Sequence, residues 1–188
     1  MDLATPIEGI PKIGLIYQKK LKRLGIKTVR DLLFHFPHRY EDFSNIIQIS
    51  EVKLNENCCI KGKILEIGNT KTWKRRMILT QAIVSDRSGA IKVIWFNQPY
   101  LIKVLKPGDL VCLAGKILLA KDGLYLSNPA YEKTILKPKT YNLKPNFLHT
   151  GRIVPVYPET EGLSSRWLRF IIKSLLTQLK NKIQETLP

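Results

Sequence analysis

Acidic side chains are scarce in this sequence of 188 residues, where 15 Asp and Glu stand against 31 Lys and Arg for a net charge of +16. The surplus is concentrated in residues 45–140, which carry 16 basic and 7 acidic side chains. A basic surface of this kind favours a polyanionic partner such as nucleic acid. The alternative is a charge that serves only solubility.

Cysteine and histidine are also few, with three of each. Cys58 and Cys59 are neighbours and Cys112 is distant, an arrangement that fits neither a disulfide framework nor a zinc site. All three fall in predicted strands, so we expect them to be small apolar core residues. The histidines do not cluster with cysteine or aspartate at ligand spacings, and no carboxylate pair or nucleophile–base arrangement predicts a catalytic site.

Long apolar runs are missing as well. No stretch has the length and apolarity of a membrane span and no signal peptide opens the chain, so the cytoplasm is the expected location. The phosphate-binding pattern G-x-x-x-x-G-K-S/T does not occur, and the nearest string, at 108–117, has the wrong spacing and lies in a predicted strand. We therefore expect this chain neither to bind nor to hydrolyse ATP, and to hold no cofactor or metal.

The residues from 58 to 131 predict a small closed sheet. Alternating apolar residues, interrupted by glycine-containing turns, define five strands and one short helix. The strands are Cys58–Ile67, Met77–Asp86, Ala90–Phe96, Leu110–Ala120 and Gly123–Ser127, with the helix over Gln98–Leu105, capped by Asn97, after the third strand. This order is that of an OB-fold, a five-stranded Greek-key barrel whose strand face and loops commonly bind oligonucleotides.

Helical segments flank the barrel, so the predicted fold class is mainly β with flanking helices (α+β). Two short helices are expected within residues 1–44, the first over 12–24, ended by Gly25, and the second capped by Thr28 and Asp31. The apolar face of the first helix consists of Ile13, Ile16, Leu21 and Leu24. The pair resembles a helix-hairpin-helix unit. Its turn, Lys12-Ile13-Gly14, lacks the first glycine of the phosphate-binding form, which favours a packing role against the barrel.

Residues 141–188 predict an extended linker followed by a helix that Ser164 or Ser165 caps. The apolar face of that helix consists of Leu168, Ile171, Ile172, Leu175, Leu179 and Ile183. The predicted domains are therefore a helical segment over 1–44, an OB-fold over 45–140, and a linker and helix over 141–188.

Strand alternation identifies candidate residues for base stacking. In the third predicted strand the inner face consists of Ile91, Val93 and Trp95, and the outer face of Lys92, Ile94 and Phe96. Phe96 then lies on the same face as Lys92, and Tyr100 follows four residues later. An exposed ring beside a lysine offers a π-face to a base and a charge to its phosphate. The alternative is that Phe96 closes the barrel and Tyr100 packs the inserted helix onto it.

The loop at 69–76 joins the first two strands and contains four basic residues, one tryptophan and no acid. The equivalent loop of OB-folds often holds single strands. Its candidate phosphate ligands are Lys71, Lys74, Arg75 and Arg76, with Trp73 as a stacking or wedging residue. The alternative is a solvated loop without a ligand.

Several blocks of the sequence together resemble one family. They are IKTVRDLLFHFPHRYED at 26–42, RRM at 75–77, SDRSG at 85–89, WFNQPY at 95–100, NP at 128–129 and VPVYPETEG at 154–162. In order and spacing they are similar to the N-terminal and wedge region of RecG-type ATP-dependent DNA helicases. Two positions depart from the family pattern: Lys12 replaces a glycine, and Ala130 stands where an acidic residue is common.

The resemblance implies a wedge that binds branched DNA, such as a replication fork or Holliday junction, and splits its strands in fork reversal, recombination and DNA repair. It also implies that Phe96 and Tyr100 stack on bases at the branch point. ATP and magnesium would belong to a motor downstream of this chain, and the protein would be a monomer in the bacterial cytoplasm, at the nucleoid. The alternatives are an OB-fold module for the acidic tail of single-stranded DNA-binding protein, and a general single-strand nucleic-acid binder.

Overall fold

The computed structural model describes residues 1–72, 77–134, 148–160 and 162–179. The helices are α1 (Leu15–Arg23), α2 (Val29–Leu33), α3 (Leu101–Val104) and α4 (Ser165–Leu179). The strands are β1 (Arg39–Asp42), β2 (Ile46–Ile47), β3 (Asn57–Lys71), β4 (Ile78–Ser85), β5 (Ala90–Phe96), β6 (Leu110–Ala120), β7 (Gly123–Lys133) and β8 (Ile153–Val156). The chain forms two compact units, Met1–Glu41 with Pro155–Pro188, and Asp42–Val154. The described residues of 155–179 thus share a unit with the N-terminal helices.

A closed barrel forms the larger unit. Its strands follow the order β2-β3-β4-β5-β7-β6, and β3 also pairs with β6. The first half of β3 pairs with β6 and the second half with β4, with a register shift between Ile64 and Glu66 where the strand changes partner. Such an irregularity bends a strand and helps a small sheet to close. The predicted Greek-key OB-fold is confirmed, while β1 and β8 pair in a separate two-stranded sheet.

All five predicted barrel strands form, and the last of them runs further than predicted. Pro129, which cannot donate a ladder hydrogen bond, lies within β7. A register shift in β6 between Ala114 and Lys116 accommodates it. Gly115 lies at that shift, and a Cβ atom there would come within 3.0 Å of Pro129. The proline therefore fits the strand only because the facing backbone is irregular and has no side chain.

The inserted helix is shorter than predicted, with four residues in α3. Asn97 does not cap it: this residue is left-handed, with φ 54°, and the residue before the helix is Tyr100, which makes no side-chain cap hydrogen bond. Asn97 instead turns the chain at the end of β5, and its N–H donates to the carbonyl of Ile78 at 2.8 Å. The predicted cap is therefore wrong.

Strand alternation gives the barrel its core. Trp95 is fully buried, and its Nε1 donates to the carbonyl of Pro129 at 2.9 Å. The cysteines are buried as predicted, Cys58 in the barrel core and the other two in a small cluster with Phe43. Burial, with a smaller effect of Glu56, raises the pKa of the Cys58 thiol to about 11.

The other unit has its own core. The apolar face of α4 is buried together with residues of the N-terminal helices, and Tyr17 stacks on Trp167 with ring centroids 4.3 Å apart. Thr28 and Asp31 form the predicted capping box, and Gly25 is left-handed with φ 79°. The expectation for Ile16 is wrong, because its side chain is 69% exposed. The helix begins only at residue 15, so Ile13 reaches the core from the preceding turn. The predicted core position 183 lies outside the described residues.

Among the helices that the structure describes, none has both the length and the hydropathy of a membrane span. The described ranges likewise contain no group of three or more His, Cys, Asp or Glu side chains placed to hold a metal ion.

Candidate nucleic-acid interface

Three rows of residues cross the outer face of β3, β4 and β5. In order along β5 they are Lys92–Ile83–Glu66, Ile94–Gln81–Gly68 and Phe96–Leu79–Thr70. The register places Phe96 on the same face as Lys92, as alternation predicts. The two residues lie two rows apart, about 13 Å along the strand at ~3.3 Å per residue.

A groove with a volume of about 280 Å³ runs over this face. It is lined by side chains of all three strands, from Lys92 and Glu66 at one end to Asn69 and Thr70 at the other. Thr70 belongs to the row of Phe96, but Leu79 and Phe96 themselves do not line the groove. The arrangement can hold an extended chain across the outer face of β3, β4 and β5.

The two proposed stacking residues remain accessible. Phe96 is half-buried at the end of β5, and Tyr100 is 51% exposed. The Tyr100 hydroxyl donates to Oε1 of Gln98 at 3.0 Å, and Nε2 of Gln98 donates to Oδ1 of Asn128 at 2.8 Å. Neither ring therefore lies in the barrel interior, and Tyr100 is oriented by a chain of two hydrogen bonds.

Sequence reasoning missed a buried polar group that contacts the segment between Phe96 and Tyr100. Thr80 is fully buried, and its hydroxyl lies 2.8 Å from Oδ1 of Asn69 and 2.8 Å from the carbonyl oxygen of Gln98. Nδ2 of Asn69 donates to the carbonyl of Pro99 at 3.1 Å. The available signal was the hydroxyl itself, since Thr80 occupies the inner-face alternation of Ala82 and Val84.

Lys92 has an acidic partner that the strand pattern did not predict. Its Nζ lies 3.0 Å from Oδ2 of Asp122, in the turn between β6 and β7. The side chain of Lys92 is 31% exposed and that of Asp122 is 74% exposed. An ion pair this open to solvent is worth about 0–1 kcal/mol, so a phosphate can compete for the lysine.

Sequence reasoning also missed Tyr125. The parallel register of β5 and β7 pairs it with Lys92, and its neighbours Leu124 and Leu126 belong to the core side of β7. Alternation from those leucines places Tyr125 on the outer face beside the lysine. An aromatic residue next to a cation thus lies at the end of the groove away from Phe96, whereas Phe96 itself is two rows from Lys92.

The basic loop is described only at its base. Lys71 is exposed at the end of β3, and the N–H of Thr72 donates to the carbonyl of Met77 at 2.9 Å. The other predicted phosphate ligands, Lys74, Arg75 and Arg76, and the predicted stacking residue Trp73 lie outside the described residues.

The topology and the site define an OB-fold barrel with aromatic and basic side chains at one end. The family model described as RecG wedge domain matches residues 6–179, and the chain belongs to that family. Among curated relatives, the chain is 34% identical to the ATP-dependent DNA helicase RecG of Thermotoga maritima, over 100% of this chain and 23% of the relative. It is 32% identical to that of Bacillus subtilis, over 98% of this chain and 25% of the relative. The chain spans about a quarter of the length of these relatives.

A solved structure described as RecG bound to a three-way DNA junction is also similar. It matches 100% of this chain and 25% of that chain, with a TM-score of 0.76 and 32% sequence identity. The match extends over both units of the chain.

Proposed function

We propose that this chain is the branched-DNA binding wedge of a RecG-type helicase, which parts strands at a replication fork or Holliday junction. The observation that carries the proposal is the pair of accessible rings, Phe96 and Tyr100, at the end of a basic barrel. Membership of the wedge family and the likeness to a relative bound to a three-way junction support it.

Stacking on the rings would offset part of the cost of the proposed strand separation. A base that leaves its pair at a branch point loses contact with its neighbour in the duplex. An aromatic side chain can replace that contact, for about 1–3 kcal/mol per base. Left-handed Asn97 turns the chain between Phe96 and Tyr100, so the two rings leave the barrel from different segments. Each ring would then cover one parted base.

Cations would hold the DNA backbone. Lys92 and Lys71 are the described candidates, and Lys74, Arg75 and Arg76 extend the set in the loop beyond them, with Trp73 as a further stacking residue. Phosphate contacts position a ligand without reading its sequence, which suits recognition of a branched shape. Four phosphate contacts by the loop predict that log K falls against log salt with a slope of roughly −3 to −4.

The proposed role is passive. A motor that uses ATP and magnesium would pull the duplex against the wedge during fork reversal, recombination and repair. This sequence has no G-x-x-x-x-G-K-S/T pattern, so the chain itself contributes binding and strand separation. The proposed setting is a monomer acting on DNA at the bacterial nucleoid.

The second candidate is a single-strand nucleic-acid binder without preference for branches. The groove favours it, because an extended strand could lie along the outer face between Lys92 and Thr70. The acidic tail of single-stranded DNA-binding protein is a further possible ligand of the same basic surface.

Fluorescence anisotropy separates these functions. The 188-residue chain is titrated into a three-way fork and into a single strand of equal length at fixed salt, and an acidic tail peptide is then added as competitor. We expect tighter fork binding, and at least about a thirtyfold loss of fork affinity in the double variant Phe96→Ala/Tyr100→Ala, since two stacked bases at about 1–3 kcal/mol each are lost. Tyr40→Ala is the control, since Tyr40 is also exposed, at 65%, but lies in β1. Equal affinity for both DNAs contradicts the wedge function and supports the single-strand binder.

A further inference from the structure

Thr80 is a polar residue at a position where the barrel needs only an apolar one. It is fully buried on the inner face of β4, directly opposite Asn69 on β3 and Trp95 on β5. Valine has the same shape and would fill the same space. A buried hydroxyl costs free energy unless it is hydrogen-bonded, so its partners explain its presence.

Those partners link two segments of the interface. The Thr80 hydroxyl has one hydrogen and two acceptors at 2.8 Å, Oδ1 of Asn69 and the carbonyl oxygen of Gln98. The orientation of the Asn69 amide follows from its other contact, because only Nδ2 can donate to the carbonyl of Pro99 at 3.1 Å. Asn69 therefore holds the carbonyl of Pro99, and the Thr80 hydroxyl, whose one hydrogen is shared between Oδ1 of Asn69 and the carbonyl oxygen of Gln98, lies against the preceding carbonyl.

These two carbonyl groups belong to Gln98 and Pro99, the two residues that immediately precede Tyr100. The carbonyl of Pro99 belongs to the peptide unit that ends at the nitrogen of Tyr100, and a peptide unit is planar. A hydrogen bond to that oxygen consequently fixes the orientation of the peptide plane that contains the nitrogen of Tyr100. The proline ring also restricts the preceding φ angle. The Tyr100 hydroxyl is held separately by Gln98.

We propose that Thr80 and Asn69 are positioning residues that hold Tyr100 in place for base stacking before DNA arrives. The inference rests on the proposed function, since it assumes that Tyr100 stacks on a base at the branch. In this role Thr80 makes no contact with DNA, and Asn69, which lines the groove, acts through its hydrogen bond to the carbonyl of Pro99. They act by reducing the conformational freedom that Tyr100 would otherwise lose on binding. Asn69 also begins the segment that leads to Lys71, so one polar cluster orders both the stacking residue and the base of the basic loop.

The test compares Thr80→Val with Thr80→Ser, which restores the hydroxyl. Fork affinity should fall about three- to tenfold in Thr80→Val and stay within about twofold of the wild type in Thr80→Ser. Thr150→Val is the matched control, because Thr150 is also fully buried and donates its hydroxyl hydrogen at 2.7 Å, to Glu132. That variant should lose thermal stability and keep its fork affinity. Asn69→Ala, at an exposed position, provides the same test where Thr80→Val fails to fold.

A double-mutant cycle with Tyr100→Ala distinguishes positioning from general destabilisation. If Thr80 acts through Tyr100, adding Thr80→Val to Tyr100→Ala should weaken fork binding no further. Additive losses overturn the inference. A loss of affinity in Tyr100→Ala with none in Thr80→Val or Asn69→Ala also overturns it and leaves the proposed function intact. No loss in Tyr100→Ala overturns both.

Discussion

Replacing Asp122 by asparagine removes the acidic partner of Lys92 and should strengthen binding to branched DNA. In the free protein the lysine lies 3.0 Å from the carboxylate, so a phosphate must displace Asp122 or share the lysine with it. Asparagine keeps the size of the side chain and removes its charge. The change therefore tests whether Lys92 is a phosphate ligand without altering Lys92 itself.

The solvent exposure of Lys92 and Asp122 limits how much the substitution can change the affinity for DNA. Asp122 is 74% exposed and Lys92 is 31% exposed, so the ion pair contributes at most about 1 kcal/mol. Releasing the lysine can then raise affinity by up to about fivefold, since 1.4 kcal/mol corresponds to about tenfold. If Lys92 gains one full phosphate contact, the slope of log K against log salt should steepen by about 0.7–0.9.

The assay is fork binding by anisotropy across a salt series from about 50 to 200 mM. Glu8→Gln is the control for net charge, because it also removes one negative charge and releases a lysine, Lys22, from an ion pair of 2.5 Å in the helical unit. Lys92→Gln should weaken binding and flatten the slope, and Asp122→Asn should then have little further effect. Equal changes of affinity and slope in Asp122→Asn and Glu8→Gln would refute the role of Lys92 as a phosphate ligand.

Three further predictions concern stability and reactivity. Glu132 accepts hydrogen bonds from the N–H groups of residues 148, 149 and 150 and from the Thr150 hydroxyl, so Glu132→Ala should lower the free energy of unfolding by about 2–3 kcal/mol in urea titrations. Burial raises the pKa of Cys58 to about 11. An aromatic disulfide reagent should therefore react with this thiol at neutral pH only when urea unfolds the chain. Rapid reaction of the native protein would contradict the burial of Cys58. The hydrogen bond from Lys133 lowers the pKa of Asp109 in the folded chain. The Asp109 carboxylate therefore stabilises the fold above the unfolded pKa of about 3.9, and this stabilisation is lost as pH falls through the lower folded pKa. Thermal melts from pH 6 to 2 should show a smaller acid loss in Asp109→Asn than in the wild type.

Local patterns predicted the elements of this fold well. Alternation in β5 separated Trp95 from Phe96 correctly, because a strand with one buried face can adopt only one register. The predicted last strand stops at residue 127, yet the strand continues through Pro129, because the bulge at Gly115 lies opposite. That compensation comes from another strand, and the residues around a proline do not reveal it. Ile16 was assigned to the core for a similar reason: spacing identifies a helical face but not what covers it.

In the candidate site, too, local patterns predicted some features and missed those that depend on distant residues. The positions of Phe96 and Lys92 follow from one strand, so the sequence predicted which face they share. Thr80 contacts Gln98 across 18 positions, and Lys92 pairs with Asp122 across 30. Such contacts depend on the pairing of β5 with β4 and with β7, which brings together segments that no local pattern relates.

Photochemical crosslinking tests the central claim most directly. A three-way fork carrying 5-iodouracil at the branch point is bound to the chain and irradiated, and the crosslinked peptide is identified by mass spectrometry. Because this base crosslinks efficiently to an aromatic ring stacked upon it, we expect the adduct at Phe96 or Tyr100 and its loss in the double alanine variant. An adduct that maps elsewhere, or that persists in the double variant, would contradict the account.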